Sequence, residues 1–359
     1  PNAEADITGI SFEEDVLANS YIDLNPSYDE SQNAYPIRIS VKEGTDMTSL
    51  APIFELTPGA TISPASGSVQ NFTTPVRYTV TSEDKAWHRV YAITAREQKA
   101  SNIPTTYHFE KVRIMQNVWQ EFYEEQDSGN ELTWASGNKG FKRAMSEAAT
   151  EDYPTTQIDN GKTGKCVKLE TRLTGDLGNM VGMPIAAGNL FIGSFDMLNA
   201  ITNPLSATRF GTPFYNKPLR LTGYYKYKAG EQFYENGEYT SRKDIFNIYA
   251  IFYDGVKYDS AGKGTDVTLD GNLPNQNYEH SSMVALALVS NPQETEGDEW
   301  KFFDIPFDYQ RYGKKIDEAR LAKGEYKIGI IFASSKDGAT FEGAPGSTLL
   351  IDEVELIYE

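Results

Sequence analysis

The 359 residues exceed one small fold and leave room for two domains at roughly 150 residues each. Lys and Arg number 33 against 51 Asp and Glu, a formal charge of −18; this argues against nucleic acid and against anionic membranes, because neutralising phosphates takes a basic surface. With 39% hydrophobic and 12% aromatic residues, the chain has the apolar area to fold around a sizeable core.

Cys166 is the single cysteine, so neither an intrachain disulfide nor a thiolate metal cluster can be assembled. No stretch approaches the roughly 20 apolar residues that span a bilayer. The chain starts at Pro1 rather than Met, which leads us to expect a mature form whose signal segment has been removed.

Residues 1–98 read as short strands. Ile37–Val41 alternates with period 2; Phe54–Thr57, Ala60–Ser63, Val76–Val80 and Arg89–Thr94 follow, separated by Pro-Gly, Ser-Gly-Ser and Ser-Glu-Asp-Lys turns. Strands at this spacing, without helical periodicity, predict an immunoglobulin-like β-sandwich. The wording Leu56-Thr57-Pro58-Gly59-Ala60-Thr61-Ile62-Ser63, then Phe72-Thr73-Thr74-Pro75-Val76-Arg77-Tyr78 and Trp87-His88-Arg89-Val90-Tyr91, resembles the Ig-like domains of Bacteroidetes surface lipoproteins. That resemblance implies a spacer module between a lipid-anchored N-terminus and a functional C-terminal domain.

A linker is expected at 99–105, where composition turns polar and aperiodic. Aromatics change across it, with nine in residues 1–98 and 35 in residues 99–359. The second segment, 106–359, again reads as strands: 165–172, 190–195, 218–228, 245–254, 282–290, 299–307, 325–333 and 347–358. Eight strands joined by long Gly- and Asn-rich connections suit a double-sheet jelly roll. One helical candidate, Lys314–Lys323, ends at Gly324.

Trp134-Ala135-Ser136-Gly137-Asn138, Lys165-Cys166-Val167-Lys168-Leu169-Glu170, Pro218-Leu219-Arg220-Leu221-Thr222-Gly223-Tyr224-Tyr225 and the closing Leu349-Leu350-Ile351-Asp352-Glu353-Val354-Glu355 resemble PCMD, a carbohydrate metabolism domain of Bacteroidetes. The resemblance covers residues 106–359 and implies a jelly roll similar to carbohydrate-binding modules. The fold expected is therefore all-β: an N-terminal Ig-like β-sandwich followed by a jelly-roll β-sandwich.

Catalytic constellations are scarce. His88, His108 and His280 lie in different contexts, and no Gly-x-Ser-x-Gly elbow is present. His88, beside Trp87, reads as a surface or core-rim residue. Gly161-Lys162-Thr163 imitates the end of a phosphate loop, but Thr156 stands where a glycine is required. Glycoside hydrolysis needs two carboxylates at about 5.5 Å or about 6.5–9.5 Å. Glu353 and Glu355, at i and i+2 on the last strand, share a face by period 2; they read as a solvated outer face, with Leu350, Asp352, Val354 and Leu356 turned the other way.

Sugars stack their C–H faces on aromatic rings and offer hydroxyls to Asn, Asp, Arg and Lys. Exposed aromatics framed by such groups are therefore the binding candidates: Trp134 with Asn138 and Lys139, Tyr215 in Phe214-Tyr215-Asn216-Lys217, and Tyr234 with Glu235 and Asn236. Tyr225, Tyr227 and Trp300 read as core instead. Jelly-roll modules often hold a structural Ca2+ where first and last strands meet, which makes Glu110 and Asp352 candidate ligands; the alternative is that Glu110 pairs at a strand edge and Asp352 accepts turn amides.

The expectation is a glycan-binding, non-catalytic protein of polysaccharide utilisation, exported as a lipoprotein to the outer membrane surface or periplasm. Asp259-Ser260-Ala261 matches a loose O-glycosylation pattern of exported Bacteroidetes proteins. The alternatives are a glycoside hydrolase or lyase using a carboxylate pair, and a fimbria-like structural protein meeting protein partners at its edge strands.

Overall fold

A computed structural model describes Pro1–Glu359. The chain forms two compact units, Pro1–Ala100 together with Glu359, and Ser101–Tyr358.

The first unit carries β1 (Ile7–Ser11), β2 (Tyr35–Lys42), β3 (Ile53–Leu56), β4 (Thr61–Ser63), β5 (Val76–Thr81) and β6 (His88–Gln98). They pair as β2-β6-β5-β4 and as β1-β3, with β2 parallel to β6. Period-2 alternation turns Ile37, Ile39 and Val41 inward to meet Tyr78, Val80 and Ile93 in one core. β1 escapes the sequence reading because Gly9 interrupts its alternation at a register shift. His88 is exposed and hydrogen-bonds Thr81 at 3.0 Å.

The second unit begins inside the expected linker. Ile103 is buried in its core, Asn102 Nδ2 donates to the Pro213 carbonyl, and Gln126 Nε2 donates to the Ile103 carbonyl. Its main strands are β7 (Thr106–Tyr107), β8 (Val112–Met115), β9 (Trp119–Glu125), β10 (Glu131–Thr133), β11 (Thr155–Asp159), β12 (Lys165–Glu170), β13 (Asn189–Phe191), β14 (Pro218–Lys228), β15 (Asn247–Asp254), β16 (Met283–Leu288), β17 (Lys301–Pro306), β18 (Tyr326–Ala333) and β19 (Thr348–Tyr358). One sheet runs β11-β12-β19-β14-β17, with β7 added on β19; a second runs β13-β18-β15-β16, and β10-β9-β8 form a separate three-stranded sheet. The fold is all-β and sandwich-like. Helix is not confined to the expected segment: α1 (Asn138–Ala144), α2 (Gly175–Met180) and α3 (Asn199–Thr202) join α4 (Glu318–Ala322), all of two turns or fewer, a length at which a 3.6-residue period carries little signal. In α4, Asp317 caps the first amides and Gly324, at φ +72°, ends the segment.

The two sheets have different outer faces, and this positions everything that follows. β15 is buried on both sides: Ile248, Ala250 and Phe252 enter the main core, while Tyr249, Ile251 and Tyr253 enter a second core under the connecting loops. A strand covered on both faces reads as a continuous apolar run. In the first sheet, β14 turns Leu221, Tyr225 and Tyr227 into the core and leaves Arg220, Tyr224 and Lys226 partly accessible on the other face.

The last strand departs from simple alternation. Tyr224 pairs with Asp352 but Thr222 pairs with Glu355, so β19 carries an extra residue there, and Glu353 takes φ +48°. Such a bulge shifts the phase of every residue beyond it. The inward set is consequently Leu349, Ile351, Val354 and Leu356, not the expected Leu350, Asp352, Val354 and Leu356. Opposite the bulge, Gly223 lets the strands close; a β-carbon there would stand 2.6 Å from Phe303 and 2.8 Å from Val354.

Candidate functional site

The open face of the first sheet carries the accessible aromatic group. Tyr224 on β14 and Phe302 on β17 are register partners with ring centroids 5.2 Å apart. Phe302 is 53% exposed. Trp300, partly exposed just before β17, is capped by Lys226 with its Nζ 5.0 Å from the ring, and Lys162 stands 5.0 Å from the Tyr224 ring. Polar groups frame these rings in pairs: Arg220 with Asp304 at 2.6 Å, Lys226 with Asp298 at 2.7 Å and Lys168 with Glu170 at 3.0 Å. Chemically this is an apolar strip bordered by hydrogen-bonding groups of both signs, its two paired rings carried by strands.

Trp134 and Asn138 cannot form a sugar platform. The Trp134 ring is 1% exposed and packs against Tyr107, Phe109 and Phe332 at 5.0–5.9 Å; burying its apolar area outweighs leaving its Nε1 without a partner. Asn138 is fully buried and acts as a side-chain staple: its Nδ2 donates to the carbonyls of Thr155 and Gln120, and its Oδ1 accepts the Thr155 amide at 3.1 Å. The Trp-Ala-Ser-Gly-Asn phrase is thus a corner piece that fixes α1 to β9 and β11.

Tyr215 is 43% exposed and rests on the Gly324 turn. Tyr234 is half-buried, edge-on to exposed Tyr239 at 5.3 Å, and its backbone pairs with Gly343. The structure does not bring Tyr215 and Tyr234 together: the neighbour of the first, Phe214, hydrogen-bonds Tyr326 at the start of β18, while Gly343 packs on Ser335 beyond its end.

Glu110 and Asp352 do converge, on the turn between β11 and β12. Glu110 Oε1 accepts the Lys165 amide at 2.7 Å; Asp352 accepts the Thr163 amide at 3.0 Å and the Glu353 amide at 2.8 Å. Calcium needs six to eight oxygens, whereas N–H donors occupy these carboxylates and no group of three or more His, Cys, Asp or Glu gathers there. The donor set does not fit a calcium cage; it fits a clamp on the turn. Burial pushes the Asp352 carboxyl up to about 6 against the pull of those amides, and burial likewise pushes the nearby Cys166 thiol up to about 12.

Glu353 is drawn to His108, Nδ1 to Oε2 3.0 Å, and the bulge sets Asp352 and Glu355, not Glu353 and Glu355, against successive outer positions of β14. A cavity of about 490 Å3 lies elsewhere, on the outer side of the second sheet, and no Asp or Glu lines it.

Sequence reading missed Tyr224, Phe302 and Trp300 as a group. The alternation of β14 signals that Tyr224 opposes Tyr225, but only the pairing of β14 with β17 puts Phe302 beside it.

Comparison with known proteins gives two family matches: the PCMD family, described as "Putative carbohydrate metabolism domain", over residues 108–357, and the SGBP N-terminal domain over residues 23–95. No curated protein matches the chain. Among solved structures, it is similar to a protein of Bacteroides thetaiotaomicron described as a "putative glycoside hydrolase", with 45% identity over 100% of this chain and 98% of that one, and a TM-score of 0.64. It is similar to another so described from Bacteroides vulgatus, with 50% identity over 72% of this chain and 100% of that one, and a TM-score of 0.67. The chain belongs to the PCMD family, and an SGBP N-terminal domain precedes its PCMD region.

Proposed function

We propose that the second unit binds glycan, without hydrolysing it, on the open face of its first sheet. The observation that carries this reading is the Tyr224–Phe302–Trp300 strip framed by three ion pairs, which matches what a sugar offers: C–H faces to stack and hydroxyls to hydrogen-bond. The two family matches support a carbohydrate role. A non-catalytic role is supported by the commitment of Asp352 to backbone amides. We read the two sheets as a jelly roll of the carbohydrate-binding kind, and the protein as a lipid-anchored component at the Bacteroidetes outer surface or in the periplasm. The SGBP N-terminal match supports that location.

The hydrolase reading rests on how the two similar solved proteins are described, and one experiment separates the two. Native gels cast with a panel of polysaccharides should retard the full chain, while incubation with the retarding polysaccharide should release no reducing ends. Retardation on no gel overturns the binding site; released oligosaccharide overturns the non-catalytic reading.

A further inference from the structure

The cavity on the outer side of the second sheet is built for a different ligand. Its floor is the sheet itself, through Phe191, Tyr249 and Ile331, and its walls come from α1, α2 and α3. At about 490 Å3 it falls within the roughly 300–1,000 Å3 of small-molecule sites.

Three properties define the occupant. First, the rim is aliphatic and wet: Leu177, Val181 and Ile201 line the cavity while 45–51% exposed, and neighbouring Met180 and Leu198 are 82% and 89% exposed. Side chains of this kind clustered in solvent mark a binding surface. Secondly, four of the polar side chains in the lining are already engaged within the protein. Asn189 Oδ1 accepts the Gly137 amide, Asn247 Nδ2 donates to the Tyr278 hydroxyl, Thr174 donates to the Met183 carbonyl and Ser335 donates to Asp244. Engaged in this way within a mostly apolar lining, they offer few groups to a sugar's hydroxyls, which makes the cavity a poor carbohydrate site. Thirdly, the charges are of one sign. In a chain with 51 acidic residues the lining contains none, and its two charged residues, Arg143 and Lys336, are exposed and make no ion pair.

We propose that this cavity binds one long-chain carboxylate of the fatty-acid class, the alkyl chain among Leu177, Val181, Met183 and Ile201 and the carboxylate toward Arg143 and Lys336. A neutral alkane would leave the two cations unused, and a cationic amphiphile would be repelled by them. The site is independent of the glycan-binding face.

Isothermal titration calorimetry of the full chain with dodecanoate, below its micellar concentration, tests this. One site per chain is expected, tightening about tenfold for each added pair of methylenes from decanoate to tetradecanoate. Dodecyltrimethylammonium should bind at least tenfold more weakly than dodecanoate. Leu177→Glu, at an exposed rim position, should weaken both; Arg143→Glu with Lys336→Glu should weaken dodecanoate at least tenfold and strengthen the cationic amphiphile. The exposure of all three positions lets these variants fold, which an unchanged melting temperature verifies. Absence of dodecanoate binding overturns the proposal. So does affinity indifferent to chain length or to both variants, or a dimer in solution that Leu177→Glu dissociates, which would make the rim a self-interface.

Discussion

Tyr224 and Phe302 face each other across β14 and β17 with ring centroids 5.2 Å apart, on the outer face of the first sheet. Their neighbours one residue along, Tyr225 and Phe303, lie in the core. The pleat therefore divides two pairs of consecutive aromatics into two rings that hold the sandwich together and two that are left for a ligand.

Phe302→Ala and Tyr224→Ala should each weaken polysaccharide retardation by about 1–3 kcal/mol, the scale of losing a hot-spot aromatic. Stability should change little for Phe302, whose ring is 53% exposed. Tyr215→Ala and Tyr234→Ala, away from this face, should leave retardation near wild type; affinity gels run side by side check the ranking.

Trp134→Ala should do the reverse. Its ring touches Tyr107, Phe109 and Phe332, and emptying that volume should cost about 3–5 kcal/mol, read as a lower midpoint in urea. If the variant folds, its affinity for the polysaccharide should be unchanged.

Asp244 is 2% exposed and accepts hydrogen bonds from Ser335, Ser347 and the Ala344 amide on one carboxylate oxygen, and from the Ile245 amide on the other. Asp244→Ala strands these donors in the interior and should destabilise by at least about 3 kcal/mol, measurable by chemical denaturation.

Burial pushes the Asp352 carboxyl from the usual 3.8 up to about 6. Between those values the folded state holds a proton that the unfolded state has released, so stability falls as pH rises. Relative to Asp352→Asn, the wild type should lose about 2 kcal/mol between pH 4 and pH 7. Carbon-13 NMR of the labelled carboxyl should show a midpoint near 6.

Because amides occupy the carboxylates of Glu110 and Asp352, EDTA should leave the melting temperature unchanged. A drop reversed by added calcium would show that oxygens replace those amides in solution.

The strands were largely legible because a half-buried strand writes its period into the chain: Pro218–Lys228 and Thr348–Tyr358 emerge within a residue of their expected limits. Ile103, inside the stretch expected as linker, proves to be core. Period 2 separates the two sides of a strand but carries no information about what covers each side. Only tertiary packing decided that the outer side of β15 lies beneath loops while that of β14 meets solvent. The same packing turned Trp134 inward and left Phe302 exposed, because strand pairing and loop coverage bring together residues more than 70 positions apart in sequence, such as Tyr224 and Phe302. The bulge at Glu353 was equally hidden. It follows from how β19 meets Gly223 of β14, a relation between strands that no local alternation contains.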